Sequence, residues 1–284
     1  MNPTDRNNDS MDSEARQFTA HVLENRPLSP VAYRLDLSLP ALKSLGGSPG
    51  QFFMVRTTQG FDPLLRRPFS ILSVDGVHRR LSLLFRTVGR GTHLMAQWPP
   101  GWPVDMLGPL GRGYTLPHDR QNVIMIAGGI GIASLFGLAE YMMTCGIPSH
   151  LRVCIGGKSR DDILLKPDLE NMGVQVDVTT EDGSLGTRGV VTDWLEKEGP
   201  SLSKKGKPMI YACGPIGMMA RVASVAQHLS LPCEVSLESR MACGVGSCLG
   251  CAFKGPDQGY RLVCSDGPVL DARKIDWKET GRLL

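Results

Sequence analysis

The sequence predicts a β plus α/β protein in three successive units. An antiparallel β-barrel comes first, then a doubly wound α/β domain with a parallel sheet, then a small cysteine-bearing loop domain. Three observations carry this. Short strands with one buried face alternate with Gly and Pro turns between residues 16 and 112. From residue 122 onward, apolar strand runs alternate with helical segments. The stretch from 239 to the end holds four of the eight cysteines, Cys243, Cys248, Cys251 and Cys264. A chain of 284 residues fits two domains and an appendage, divided as 1–15, 16–118, 119–238 and 239–284.

In the first unit, Val31, Tyr33, Leu35, Leu37 and Leu39 alternate with Ala32, Arg34, Asp36 and Ser38, the period of a strand with one buried face. Gln51–Thr57, Pro68–Val74 and Leu81–Val88 read as further strands, broken at Gly46-Gly47, Pro49-Gly50, Asp75-Gly76 and Gly89-Arg90-Gly91. Such spacing suggests a small antiparallel barrel, closed by Leu107–Gly113. The register changes near Asp119. Asn122–Ala127 is continuously apolar after its first residue, as in a strand buried on both faces. A glycine turn and a helix from Ile132 to about Thr144 follow. Leu151–Ile155, Val174–Thr179, Pro208–Ala212 and Cys233–Ser236 read as strands, and Asp161–Asn171, Gly189–Lys197 and Ile216–Leu229 as helices. Leu202–Lys207 reads as a solvated basic linker. The last unit is too small for its own apolar core.

Hydrophobic content of 42% and charged content of 21% are ordinary for a soluble protein. A net charge of +3 without a Lys/Arg run gives no footing for nucleic acid. No window reaches the roughly 18 apolar residues of a membrane span. Residues 1–15 are polar and read as a disordered tail rather than a leader peptide. The cysteines are too unevenly spread for a disulfide scaffold, which points to a reducing, cytoplasmic setting. Cys145, Cys154 and Cys233 read as buried small hydrophobes.

Cys243, Cys248 and Cys251 give C-x4-C-x2-C, and Cys264 follows after twelve residues. The x4/x2 spacing is that of a plant-type [2Fe-2S] loop, in which thiolates hold two sulfide-bridged irons. Gly244, Gly246 and Gly250 suit a loop wrapped tightly enough to turn its amides towards sulfur. A structural zinc site would use two C-x2–4-C pairs and has no need of glycines between ligands.

Two more constellations bear chemistry. In Arg66-Arg67-Pro68-Phe69-Ser70, an arginine fixed before proline can present a rigid fork to a diphosphate, and the serine can bond a flavin edge. Leu84-Phe85-Arg86 leads to Gly91-Thr92, where the backbone can approach a phosphate if Thr92 opens a helix over His93–Gln97. In the second unit, Gly128-Gly129-Ile130-Gly131 lies between strand and helix, but it is not the G-x-G-x-x-G of the ordinary dinucleotide fold. Cys213-Gly214-Pro215 stands at the end of the fourth strand, where the ligand crevice of such a sheet lies. Cys213 is read as facing that crevice, with a buried structural thiol as the alternative. Glu181-Asp182-Gly183 would bind ribose hydroxyls or cap a turn. The six histidines are scattered, and no acid–base set demands a separate substrate site, so no catalytic residue is assigned.

In this order, R-P-F-S, G-R-G-T, G-P-L-G, A-G-G-I-G and A-C-G-P resemble the ferredoxin–NADP reductase superfamily, a flavin-binding barrel followed by a pyridine-nucleotide domain. The cysteine segment narrows this. From about Gln17 to Trp277 the chain is similar to the electron-transfer subunits of NAD-linked (class 1B) dihydroorotate dehydrogenases. The resemblance implies FAD held by Arg67, Pro68, Phe69, Ser70, Leu84, Phe85, Arg86, Gly91 and Thr92. It implies NAD at Gly128, Gly129, Gly131, Cys213, Gly214 and Pro215, and a [2Fe-2S] cluster on Cys243, Cys248, Cys251 and Cys264. It also implies a relay between an FMN-containing catalytic subunit, in a two-plus-two heterotetramer, and NAD+. Ser134 departs from the proline that many of these reductases carry. The rival assignments are the corresponding subunit of a hydrogenase, a sulfide dehydrogenase or a bifurcating NADH-dependent ferredoxin–NADP reductase. A redox-sensing module with no catalytic partner is a rival of another class.

Overall fold

The computed structural model describes residues 15–40, 47–117, 121–147, 150–204 and 206–284. The expected tail lies almost entirely outside them, as do His118, Asp119 and the expected boundary between the first two units.

Six strands form the first layer: β1 (Arg16–Ser29), β2 (Ala32–Ser38), β3 (Phe52–Val55), β4 (Arg67–Asp75), β5 (Arg80–Arg86) and β6 (Pro103–Leu110). They close as an antiparallel barrel in the order β1-β2-β5-β4-β3-β6, with β6 pairing back onto β1. Alternation fills the inside: Ala20, Val22, Leu35, Leu37, Phe53, Leu81, Leu83 and Met106 are buried together. Phe18 meets Phe53 edge-on, with ring centroids 5.9 Å apart. Asp36 lies on the face expected to be polar yet is 4% exposed. It is satisfied by Ser82 Oγ at 2.6 Å and Arg34 Nε at 3.0 Å. The short helix α1 (Arg90–Met95) follows β5 and begins two residues earlier than Thr92, the start read from the sequence.

The second layer holds β7 (Val123–Gly128), α2 (Ile132–Cys145), β8 (Leu151–Gly157), α3 (Lys166–Asn171), β9 (Gln175–Thr180), β10 (Thr187–Arg188), α4 (Val191–Lys204), β11 (Met209–Cys213), α5 (Ile216–His228) and β12 (Cys233–Ser236). The helix expected over Asp161–Asn171 is split. A 3-10 turn spans Arg160–Asp162, Leu165 takes a left-handed conformation (φ 60°), and only then does α3 begin, with Pro167 in its first turn. α4 runs through Pro200 as far as Lys204, so the first half of the expected basic linker is helical. Cys145 is exposed at the end of α2, unlike buried Cys154 and Cys233. It occupies the last turn before the left-handed cap at Gly146, where the helix leaves the core.

The third segment holds β13 (Ala252–Lys254), β14 (Tyr260–Leu262), α6 (Val263–Asp266), β15 (Val269–Asp271) and α7 (Trp277–Leu283). β15 adds antiparallel to β12, giving a seven-stranded sheet of order β10-β9-β8-β7-β11-β12-β15. One apolar core runs through both segments: Ile126, Val222 and Val235 from the sheet domain pack with Cys251, Phe253, Val263 and Cys264. The barrel meets the sheet through α2 on β4, where Ser73 Oγ donates to Glu140 Oε2 at 2.7 Å. Among the described residues, no helix is long and apolar enough to cross a membrane.

Candidate functional site

Strand order reverses between β7 and β11, and open α/β sheets bind ligands at the carboxyl ends beside such a reversal. The two ends approach closely here. A Cβ on Gly131 would collide with the carbonyl of Cys213, and one on Gly214 would sit 2.9 Å from Cα of Gly128. Above them opens a cavity of about 570 Å³. Gly128, Gly129, Gly214 and Pro215 line it, with Lys158, Asp162, Glu181 and Arg221. Gly131 serves the packing beneath and does not line the cavity. Cys213 does not reach the wall either. It is fully buried among Tyr114, Tyr211 and Val269. Burial, with the nearby Glu238 carboxylate, pushes its thiol well above the ordinary range.

On the barrel side a second cavity of about 320 Å³ is lined by Arg67, Pro68, Phe69, Ser70, Leu84, Phe85, Arg86 and Thr92. These residues come from β4, β5 and α1, where antiparallel neighbours bring distant segments together. Gly91 stands behind them: a Cβ there would meet Thr57 Oγ1 at 2.9 Å and Arg67 Nε at 3.1 Å. Thr57 is 1% exposed, and its hydroxyl has no partner. The Thr92 hydroxyl is turned back on its own loop, accepting from the Val88 and Gly89 amides at 3.0 and 3.1 Å. It therefore shapes the turn. The amides of the first turn of α1 are left for an acceptor. An apolar wall with a serine hydroxyl, two guanidinium groups and helix-start amides fits a flavin carrying a diphosphate.

Sequence reasoning missed half of this wall. Leu237, Glu238, Ser239, Met241 and Pro268 also line the barrel cavity, brought there by the return of the C-terminal segment along β12 and β15. Arg86, Ile130 and Glu238 line both cavities and mark where they meet. Glu238 reaches solvent within the crevice but is walled by protein, and loss of hydration raises its carboxyl above the ordinary range. Its only local signal is its place just past the last parallel strand.

Cys243, Cys248 and Cys251 lie on the loop before β13, and Cys264 lies in α6. Gly244, at φ 75°, presses against Met54 of β3; a Cβ there would lie 2.6 Å from Met54 Cγ. The Val245 amide donates to Cys243 Sγ at 3.4 Å and the Gly246 amide to Cys264 Sγ at 3.2 Å. Burial raises the Cys243 thiol, but the amides of Val245, Cys248 and Ser247 outweigh it and bring the thiol to about 6. Burial and the Cys251 thiol beside it push Cys264 up to about 12. Cys248 neighbours Cys243, and both Cys251 and Cys243 neighbour Cys264. Among the described residues no three His, Cys, Asp or Glu side chains gather around one metal position. The x4-x2 spacing with backbone amides turned towards sulfur fits a binuclear iron–sulfur centre better than a structural zinc site. Cys248 and its neighbours Val245 and Leu249 are exposed.

Ser134, the departure from proline, is buried, with its Oγ 3.0 Å from the Tyr114 hydroxyl. Glu181 lines the crevice at the β7–β11 reversal, where one of the two sequence readings puts it, whereas Asp182 accepts the Ser184 amide at 2.9 Å.

The family model of the iron-sulfur cluster binding domain of dihydroorotate dehydrogenase B matches residues 238–276, and that of the oxidoreductase NAD-binding domain matches residues 125–224. The dihydroorotate dehydrogenase B (NAD(+)) electron transfer subunit of Desulforamulus reducens is 38% identical over 93% of this chain and 100% of its own length. That of Geobacillus kaustophilus is 35% identical over 89% and 96%. In fold, the chain superposes with TM-score 0.82 and 24% identity on a structure of the NADH-dependent reduced ferredoxin-NADP oxidoreductase, over 93% and 92% of the two chains. The Neisseria gonorrhoeae ferredoxin NADP+ reductase with bound FAD and NADP gives TM-score 0.64 at 15% identity, over 76% and 92%.

Proposed function

Because the chain belongs to the family of electron transfer subunits of NAD-linked dihydroorotate dehydrogenase B, we propose that it carries electrons between a catalytic partner subunit and NAD+. The observation that carries this reading is the serial placement of three sites. Met241, two residues before Cys243, and Pro268, four residues after Cys264, both line the barrel cavity. Arg86, Ile130 and Glu238 then join that cavity to the dinucleotide crevice.

When bound, an iron–sulfur centre supplies single-electron exchange and a flavin converts between single electrons and hydride. The chain's own residues bind and orient. In this reading Arg67, Pro68, Phe69, Ser70, Leu84, Phe85, Arg86, Gly91 and Thr92 form the FAD site. Gly128, Gly129, Gly214 and Pro215 form the NAD site, supported from below by Gly131 and Cys213. Cys243, Cys248, Cys251 and Cys264 hold the cluster, with the Val245 and Gly246 amides stabilising thiolate charge. Phe52, Phe69 and Met241 keep water from the barrel cavity. Exposed Cys248, Val245 and Leu249 suit the face that meets the partner. We place the dehydrogenation of dihydroorotate on an FMN-containing partner, two copies with two of this chain, in the cytoplasm. The domain limits at 118 and 238 belong to the same reading.

The test is purification of the chain with its native partner. NADH should reduce a dye through the isolated chain, and dihydroorotate should reduce NAD+ only when both subunits are present. Association instead with a partner bearing additional iron–sulfur clusters would transfer the chain to the bifurcating or hydrogenase assignment. Bound cofactors without dye reduction would leave the sensor reading.

A further inference from the structure

Glu238, two residues past β12, brings the only carboxyl among the described residues that line the barrel cavity, and it lines the dinucleotide crevice as well. It meets solvent on the crevice side and protein on the other. Among the described residues no amide or side chain pairs with this carboxyl, and burial is what raises it. The other proton-bearing groups of the barrel cavity are of two kinds. Arg67 and Arg86 keep their protons at any ordinary pH. The hydroxyls of Ser70, Thr92 and Ser239 can pass a proton along but have none to give up. An unpaired carboxyl with one side towards water and the other towards a cavity walled by Phe52, Phe69 and Met241 is therefore placed between a wet space and a dry one.

We propose that Glu238 is the proton carrier of the flavin site, moving a proton from the water of the crevice into the barrel cavity. The inference rests on FAD, NAD and the iron–sulfur centre occupying the sites assigned above. The need for a carrier follows from the mismatch between the two electron routes. The iron–sulfur side delivers two electrons one at a time and no proton. NAD+ leaves as NADH with two electrons and one proton, taken together as a hydride. One proton per NADH must therefore enter the barrel cavity from outside. The O–H bond of Glu238 breaks, its electron pair stays on the carboxylate oxygen, and the proton goes to the flavin ring nitrogen from which the hydride later leaves. A hydronium ion from the crevice then restores the carboxyl. A carboxyl raised by burial suits a transfer at neutral pH better than an ordinary one. Arg67 and Arg86 face it from the barrel, and Cys213 of β11 lies within range of its charge. Lys158, Asp162, Glu181 and Arg221 line the crevice with it.

The experiment follows flavin absorbance in the complex with its partner subunit under two reductants, each at a level where more reductant bleaches no faster. Sodium dithionite delivers single electrons without protons, whereas NADH delivers a complete hydride. Glu238→Gln keeps the shape and loses the transferable proton. It should slow dithionite bleaching about tenfold or more relative to NADH bleaching. In the unaltered complex the dithionite rate should fall as pH rises through the Glu238 range, and in Glu238→Gln it should be flat there. Glu238→Asp should recover much of the loss. Glu238→Ala should be rescued by added formate, whose acid form fits the vacated space, so the proposal stays testable if the glutamine variant does not assemble. A readout independent of turnover is the infrared carbonyl band of a protonated carboxyl. Flavin-depleted unaltered protein should show such a band titrating above the ordinary glutamate range that flavin-depleted Glu238→Gln lacks. Equal slowing under both reductants marks a structural role and overturns the proposal. So do unslowed dithionite bleaching in Glu238→Gln, a formate-insensitive Glu238→Ala, or identical carbonyl bands in the two proteins. An unaltered complex that holds no FAD would instead overturn the cofactor reading beneath it.

Discussion

The amide of Gly246 points at the sulfur of Cys264, 18 residues further along the chain, at 3.2 Å. The contact joins the first cysteine loop to the segment carrying the fourth cysteine, so the two ligand-bearing stretches are organised by backbone as well as by any centre they hold. Amide bonds of this kind favour thiolate over thiol.

Replacing Cys248 by Ala removes an exposed side chain that contributes little burial. The variant should fold and retain FAD while losing the visible absorption of the iron–sulfur centre and most of its iron. Metal and flavin analysis of the same preparation checks both halves, and a fully loaded centre would contradict the ligand assignment.

Arg67→Ala removes the guanidinium that abuts Gly91 at the start of α1. A charge-assisted bond is worth about 1.5–3 kcal/mol, so FAD should bind roughly 10- to 100-fold more weakly. Titration of the flavin-depleted protein measures this. An unchanged dissociation constant would place the diphosphate elsewhere.

Ser134→Ala takes one partner from the buried hydroxyl of Tyr114, which sits edge-on to Tyr211 at 5.4 Å. The loss should be about 1 kcal/mol, read as a lower denaturation midpoint with cofactor contents unchanged. No loss would mean that Ser236, on the other side of Tyr114, satisfies the phenol alone.

Glu234 lies opposite Asp271 in the β12–β15 ladder. Burial raises its carboxyl above the usual value against the lowering bond from the Thr115 amide, and Asp271 adds repulsion. The folded protein thus holds this proton more tightly than the unfolded chain. The contribution is full below about pH 4.3 and is lost as pH rises through the folded value. Glu234→Gln should therefore raise the melting temperature at pH 7 and leave it unchanged near pH 4. An equal shift at both pH values would assign the effect to packing.

Much of this was legible in the sequence because the relevant signals are local. The alternation in β2, the apolar run of β7 and the x4-x2 cysteine spacing each lie within a dozen residues. What escaped depends on return paths. The exposed outer half of β1 carries no apolar rhythm, and β15 is three residues long, defined by its partner rather than by its composition. Glu238 and Asp162 acquire meaning only when the crevice assembles around them. Cys213 was placed at the correct strand end, but which way a side chain points there depends on the packing of Tyr114 and Val269. Cys145 looked apolar by residue type, and only the left-handed cap at Gly146 shows the chain leaving the core.

The pairing of β15 with β12 has a consequence for dissecting the chain. A fragment ending at Glu238 would uncover the amide of Leu237, which donates to the Pro268 carbonyl at 2.9 Å, and the backbone groups of Val235 that face the same way, along an apolar strand that is otherwise internal. Open edges of that kind recruit other strands. Such a fragment should fail first by sticking to copies of itself, and the cysteine segment is therefore no detachable module: it is the selvedge that keeps the sheet from fraying into its neighbours.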